Sequence, residues 1–210
     1  MAFITSLLRM PPSRPHPGLD TQLIGPRLLL RTGDSEDWKA WRTLRELSRP
    51  YLEPWEPAWP KNALSYSYYC SLLRRQWREW RHGTGYAFTI FLLGETRPVL
   101  VGGITLGDVI YAAAQKGTIG YWTGHPYTGR GIMTEAVSLV SDFAYNTLKL
   151  QRIEASCLPH NEPSKAVLRR AGFEEEGYAK AYLQINGKRE DHLLWGKSNP
   201  LQQKETAASR

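Results

Sequence analysis

The sequence predicts a mixed α/β domain built on a single sheet. Three observations carry that reading: strand and helix periods alternate along the chain, the period switches to helical soon after Thr123, and Asn186-Gly187 marks a hairpin between two final strands. At 210 residues, 41% hydrophobic and 11% aromatic, the chain suffices for one substantial core and is too short for two large domains.

Arg27–Thr32 reads as the first strand, RLLLRT. Asp34 or Ser35 can cap a helix in which Trp38, Trp41, Leu44 and Leu47 recur at helical spacing. A second helix is expected from about Leu64 to His82, and Tyr51–Pro60 between them reads as a proline-rich aromatic loop whose rings need a place to pack. Tyr86–Leu93 and Val99–Thr105 are strands around a turn at Gly94–Pro98, and Thr118–Thr123 completes the meander. Next comes a helix with Met133, Ala136, Val137, Val140 and Ala144 on one face, then a strand over Gln151–Leu158. A short helix is opened by Asn161, carries Pro163 in its first turn and is stopped by Gly172. Strands around 175–185 and 189–195 close the list. Prolines at 11, 12, 15 and 17 and a polar tail leave residues 1–21 and 198–210 as expected mobile ends around a folded domain over 22–197.

Lysine and arginine outnumber aspartate and glutamate by 27 to 20, a net charge of +7 that biases the surface toward polyanions such as a phosphorylated cofactor, RNA or a ribosome surface. A solubilising surface accounts for the same excess. Cys70 and Cys157 are the two cysteines and the five histidines are scattered, so neither a disulfide framework nor a metal site is expected, and a reducing cytoplasm suits the chain. The apolar stretch Phe3–Leu8 is short and runs into prolines, which fits neither a secretory signal nor a membrane span.

The segment that carries chemistry runs from Gly120 to Ala136, GYWTGHPYTGRGIMTEA. It joins a strand to an amphipathic helix through a glycine turn, so free backbone N–H groups face whatever lies before the helix, a place that attracts phosphate. Gly129 and Gly131 let the main chain approach a pyrophosphate and Arg130 adds charge; glycines that only make a tight turn would look the same. Gly124–Gly129 has the spacing of a nucleotide-binding P-loop, but Arg130-Gly131 replaces the required Lys and Ser or Thr. The dinucleotide pattern GxGxxG is absent as well.

The Gly129-Arg130-Gly131 turn resembles the pyrophosphate loop of the GCN5-related N-acetyltransferases (GNAT). Arg152–Ala155 followed by Pro159–Phe173, PHNEPSKAVLRRAGF, resembles the next strand and helix of the family's Rim-type branch. Leu52–Pro57, Glu176–Lys180, Tyr182-Leu183, Asn186-Gly187 and Asp191-His192 are similar to the RimJ-type ribosomal-protein alanine acetyltransferases. The resemblance covers roughly residues 22–196. It implies the GNAT fold, a mainly antiparallel sheet flanked by about four helices in which two parallel strands, ending near Thr123 and Leu158, splay around the pantetheine of acetyl-CoA. Backbone groups of Trp122 and Thr123 would then touch pantetheine, and those of Thr128, Gly129, Arg130, Gly131, Ile132 and Met133 the pyrophosphate. Asn161 and Ser164 match an Asn-x-x-Ser near the thioester, although Asn161 also reads as a plain helix cap. The family's Gln or Arg before the turn is Pro126 here, a Tyr that many members use as acid is Leu168, and glutamates used as base elsewhere fall at Ser156 and Leu183.

Alternation along Gln151–Leu158 puts Glu154 on the same face as Ser156, so Glu154 is the expected base, directly or through water, unless it merely faces solvent or pairs with an arginine. Ser164 is the expected acid or thiolate stabiliser, with Tyr182 as the alternative. Glu53, Trp55, Glu56 and Tyr182 would wall the acceptor site, although Trp55 and Trp59 serve equally as core plugs. The implied acceptor is the N-terminal alanine of a ribosomal protein. Acetylation of a small amine such as an aminoglycoside or polyamine, and a non-catalytic factor bound to ribosome or RNA, are the competing readings.

Overall fold

The computed structural model describes residues 17–94 and 96–200; the rest of the proline-rich start and of the polar tail lies outside the described residues. Eight strands form one sheet: β1 (Gln22–Ile24), β2 (Leu28–Arg31), β3 (Tyr86–Leu92), β4 (Val99–Ile110), β5 (Lys116–Thr123), β6 (Arg152–Cys157), β7 (Glu174–Ile185) and β8 (Lys188–Ser198). Four helices join them: α1 (Trp38–Leu52), α2 (Tyr66–His82), α3 (Ile132–Asp142) and α4 (Glu162–Arg170). The spatial order is β1-β2-β3-β4-β5-β6-β8-β7, with every neighbouring pair antiparallel except β5 and β6. The β5-α3-β6 crossover is what makes that pair parallel, since a chain leaving one strand through a helix returns in the same direction.

Local chemistry sets the ends of the helices. The Ser65 side chain accepts from the Tyr68 N–H at the start of α2, and Gly83, at φ 69°, stops it. Asn161 caps α4 through the Ser164 N–H, Pro163 lies in its first turn, and Gly172 follows at φ 80°. Asn186 (φ 43°) and Gly187 (φ 82°) form the turn between β7 and β8, as the Asn-Gly pair predicts.

α1 differs from expectation. It continues through Pro50 to Leu52 instead of yielding to a loop at Tyr51, and a turn of 3-10 helix over Glu53–Trp55 prolongs it. Pro50 lies in its last turn, where the missing N–H removes a single bond. The buried stripe is therefore Trp41, Leu44, Ser48 and Leu52, and Leu47 is left 61% exposed.

The core has two layers. Leu28, Leu30, Phe88, Ile90 and Ile104 meet α3 and α4 on one face of the sheet, where Ile132, Met133, Ala136, Val137, Val140 and Leu168 are all buried. Trp41, Leu44, Tyr69 and Leu73 from α1 and α2 cover Phe91 and Leu100 on the other. Ahead of β1, Pro17 accepts a hydrogen bond from the Trp80 indole at 2.8 Å, and the Leu19 carbonyl accepts from Thr32. Among the described residues no helix is long and apolar enough to cross a membrane.

Candidate active site

β5 and β6 are paired only at Lys116–Arg152, Gly117–Ile153 and Thr118–Glu154. Beyond that point β5 keeps its bonds to β4 as far as Thr123, and β6 keeps its bonds to β8 as far as Cys157, but the two strands no longer bond to each other. The facing edges of Ile119–Thr123 and Ala155–Cys157 are left with unpaired main-chain polar groups, which is costly unless water or a ligand fills the gap. A cavity of about 830 Å³ occupies that gap.

At one end of the cavity lies the glycine turn. Gly129 and Gly131 adopt φ 71° and 72°, a region open to glycine at no steric cost. Gly131 is the N-cap of α3 and offers no side chain to its first N–H groups, so these remain available to an anion. A Cβ added at Gly129 would meet nothing within 4 Å, so the space in front of the turn is open. Glu135, in the first turn of α3, would repel a phosphate, but Arg27 holds it with Nε at 2.8 Å and with its backbone N–H at 3.0 Å, and a further Arg27 nitrogen reaches the Arg130 carbonyl. From the opposite side the Ser48 hydroxyl accepts from the His125 N–H at 2.9 Å, tying the connection to α1. The residues present fit a pyrophosphate.

Deeper in the gap, Ser164 and Tyr121 meet with their hydroxyls 2.9 Å apart. Burial drives the Tyr121 phenol well above its ordinary pKa, opposed by the bond to Ser164, so the pair stays protonated and can donate. Asn161 lines the same cavity, and its Oδ1 accepts from the Ser164 N–H at 3.1 Å; it caps the helix and lines the site at once. Trp122, Thr123, Thr128, Arg130, Ile132 and Met133 also line the cavity. Burial raises the neighbouring Cys157 thiol above its ordinary value.

Glu154 is not brought to this cavity. It occupies the last paired position before the strands part, where Lys116 Nζ lies 2.6 Å and Arg152 Nε 2.9 Å from its carboxylate. Burial raises its pKa, but the hydrogen bonds from Lys116 and Arg152 outweigh that and leave it below the ordinary value. A carboxylate paired twice and placed outside the gap is a poor proton acceptor for a substrate. Alternation did put it on the Ser156 face; the starting point of the splay left Ser156 inside and Glu154 outside.

The acceptor side also departs from expectation. Trp55 lines the cavity and packs at a tilt against His160. Glu53 does not line it and pairs with Arg49. Glu56 lines it, but both of its oxygens are taken by Arg45 at 2.7 Å, and one also accepts from the Trp59 indole. The Arg45 guanidinium is sandwiched between Trp59 and Trp122, 4.2 Å and 4.8 Å from their ring centroids. Glu56 therefore braces the loop, and its carbonyl accepts from the Asn186 N–H of the β7–β8 turn at 2.9 Å. Tyr182 is 45% exposed and presents its ring to His192 outside the cavity lining. The residues that sequence reasoning missed are Tyr121, Arg45 and His192. Tyr121 follows Gly120 within the quoted segment, and its spacing gave no sign that Ser164 would meet it.

A GNAT acetyltransferase domain model matches residues 27–174. The chain belongs to the GNAT acetyltransferase family. It is 31% identical over 176 residues to the ribosomal protein uS5-alanine N-acetyltransferase of Escherichia coli, covering 83% of this chain and 89% of that one. It is 45% identical over 115 residues to the probable N-acetyltransferase YjcK of Bacillus subtilis, a match to 55% of this chain and 62% of the relative. Among solved structures, Mycobacterium smegmatis RimJ in complex with CoA-disulfide superposes with a TM-score of 0.80 at 35% identity, covering 93% and 98% of the two chains. The GNAT fold expected from the sequence is thus the fold observed, with β5 and β6 as the parallel strands that splay apart.

Proposed function

We propose that this enzyme transfers the acetyl group of acetyl-CoA to the N-terminal α-amino group of a ribosomal protein, alanine first, in the cytoplasm. The observation that carries the reading is the single cavity region running from an uncapped helix N-terminus to a braced aromatic acceptor wall, in a chain similar along most of its length to a uS5-alanine N-acetyltransferase. Acetyl-CoA supplies an activated thioester. The chain supplies the rest: N–H groups of the turn over Thr128–Met133 and Arg130 hold the phosphates, and the free edge of β5 at Trp122 and Thr123 aligns the pantetheine amides. The Tyr121–Ser164 pair gives a proton to the leaving sulfur.

The carboxylates favour a peptide over a polycationic small molecule. Glu53 and Glu56 are neutralised by Arg49 and Arg45, so they are not free to gather several ammonium groups. The exposed Arg74, Arg78 and Arg81 recur along α2 about one turn apart, and this face suits work close to ribosomal RNA.

The test is acetyl-CoA-dependent thiol release with peptides beginning Ala, Ser and Met, an aminoglycoside and spermidine. Turnover on the Ala-start peptide with one acetyl group on its α-amine supports the proposal. Turnover on the small amines alone replaces the acceptor, and cofactor binding without turnover on any amine points to a non-catalytic factor.

A further inference from the structure

We propose that His192 is the base that takes a proton from the acceptor's ammonium group. The proposal rests on the acetyl-transfer reading above. An α-amine has a pKa of about 7.7–8.0, so near neutrality it is mostly charged and must lose a proton before it can attack.

Strand register places the imidazole. Ser156 pairs with Leu194 across β6 and β8, and because side chains alternate, His192 lies on the same face two residues nearer the open end of the splay. Such diagonal neighbours are about 7–8 Å apart, room for an amine or one water between Ser156 and the ring. His192 is 3% exposed and lines the cavity.

Its hydrogen bonding fixes which nitrogen is free. Nδ1 lies 3.0 Å from the Glu190 carbonyl. A carbonyl only accepts, so in the neutral ring Nδ1 carries the hydrogen and Nε2 keeps its lone pair. Among the described residues Nε2 has no hydrogen-bond partner, and Tyr182 packs against the imidazole in a T-shaped pair, 5.8 Å between ring centroids.

Glu190, half-buried two positions before His192 on the same face of β8, is the nearest carboxylate on its own strand, and Asp108 of β4 and Arg170 of α4 line the cavity; the other charged and titratable groups on the surrounding elements are engaged or lie outward. On β7 and β8, Asp191 accepts from the Tyr178 hydroxyl and the Ala181 N–H, while Glu174, Glu175, Lys180, Lys188 and Arg189 are exposed. On β6, Arg152 and Glu154 pair with each other, and Arg152 also with Glu176. From the loop after α1, Glu53 and Glu56 are paired with Arg49 and Arg45. On the far face of the sheet, Lys165 and Lys197 bond to main-chain carbonyls, Arg169 lies over Trp195, and Cys157 faces the Ser164 side.

The ammonium gives one proton to Nε2, leaving a neutral amine and an imidazolium. As the N–C bond forms and the C–S bond breaks, the sulfur takes a proton from the Tyr121–Ser164 pair. The nitrogen's second proton returns to that pair through water, and the imidazolium releases one proton to solvent.

The experiment compares the whole protein with His192→Gln, measuring kcat/KM against pH on an Ala-start peptide, CoA affinity by calorimetry, melting temperature, and the wild-type His192 imidazole by NMR titration. The expected result is a loss of about 100-fold or more near pH 6.5 that shrinks to about threefold near pH 9.5, where the peptide amine is neutral without help. CoA affinity and melting temperature stay the same. In the wild type, the acid limb of the profile coincides with the NMR titration. An unchanged profile, a defect equal at every pH, or an acid limb more than about one unit from the NMR titration overturns the proposal, and the last comparison needs no variant to fold. If the wild type refuses every N-terminal peptide, the acceptor assignment fails, and the same profiles on the amine it does take decide His192. Turnover on no amine overturns both.

Discussion

Replacing Glu56 by glutamine separates bracing from substrate binding. The carboxylate holds Arg45 through two bonds of 2.7 Å and accepts from the Trp59 indole, and the Arg45 and Glu56 side chains are 13% and 21% exposed. Glutamine offers one accepting oxygen and turns an amide N–H₂ toward a donor, leaving the guanidinium sandwiched between Trp59 and Trp122 without a counter-charge. Breaking a fully buried pair costs about 3–5 kcal/mol, and an exposed one about 0–1. These exposures place the loss between those limits, at about 2 kcal/mol. For a chain of this size that lowers the melting temperature by about 4–8 °C. Thermal unfolding followed by circular dichroism measures it, with Arg45→Met and the double variant closing the cycle; the double variant should lose less than the sum of the two single losses. The peptide KM rises only as the loop loosens. A melting temperature within about 1 °C of the parent, accompanied by a large rise in peptide KM, would show a carboxylate free to bind the acceptor and refute the bracing role.

Gly129→Ala forces a side chain into φ 71°, at a cost of about 1–2 kcal/mol, and places a methyl in the open space before the turn. Melting should fall by a few degrees and CoA affinity by about tenfold or more; calorimetry showing unchanged affinity would put the phosphates elsewhere. Tyr121→Phe removes the hydroxyl 2.9 Å from Ser164, and pre-steady-state thiol release should slow by about tenfold or more with CoA affinity held within about threefold. An unslowed release would remove Tyr121 from the proton path. Glu154→Gln should leave kcat within about threefold, since the residue lies outside the gap. Its lowered pKa means that the stability it adds is fully present above the ordinary value of 4.5 and is lost as pH falls through the lowered one. The melting gap between wild type and variant is therefore about 2–4 °C at pH 7 and closes in acid; a gap that widens in acid contradicts the pairing.

Much of this molecule is written in short-range patterns. The stripe Met133, Ala136, Val137 and Val140 is the buried face of α3, Asn161 and Gly172 bound α4, and Asn186-Gly187 makes the hairpin. Each depends on residues a few positions apart, so local rules suffice to read it. Gly129 and Gly131 belong to the same class: their positive φ and the uncapped helix behind them follow from residue type and neighbours. The active-site surroundings do not. Where β5 and β6 part decides that Ser156 lines the cavity while Glu154, two residues earlier, is locked between Lys116 and Arg152. Insertion of β8 between β6 and β7 carries His192 to the Ser156 face, and the return of α4 against β5 joins Ser164 to Tyr121. The sequence by itself determined most of the elements, the glycine turn and the family resemblance, because each is encoded within a few residues or a single helix turn; β1 (Gln22–Ile24) and the continuation of α1 through Pro50 were not legible in it. Only the tertiary structure decided which charged groups are spent on one another and which face the gap, because strand order and register depend on the packing of the whole core.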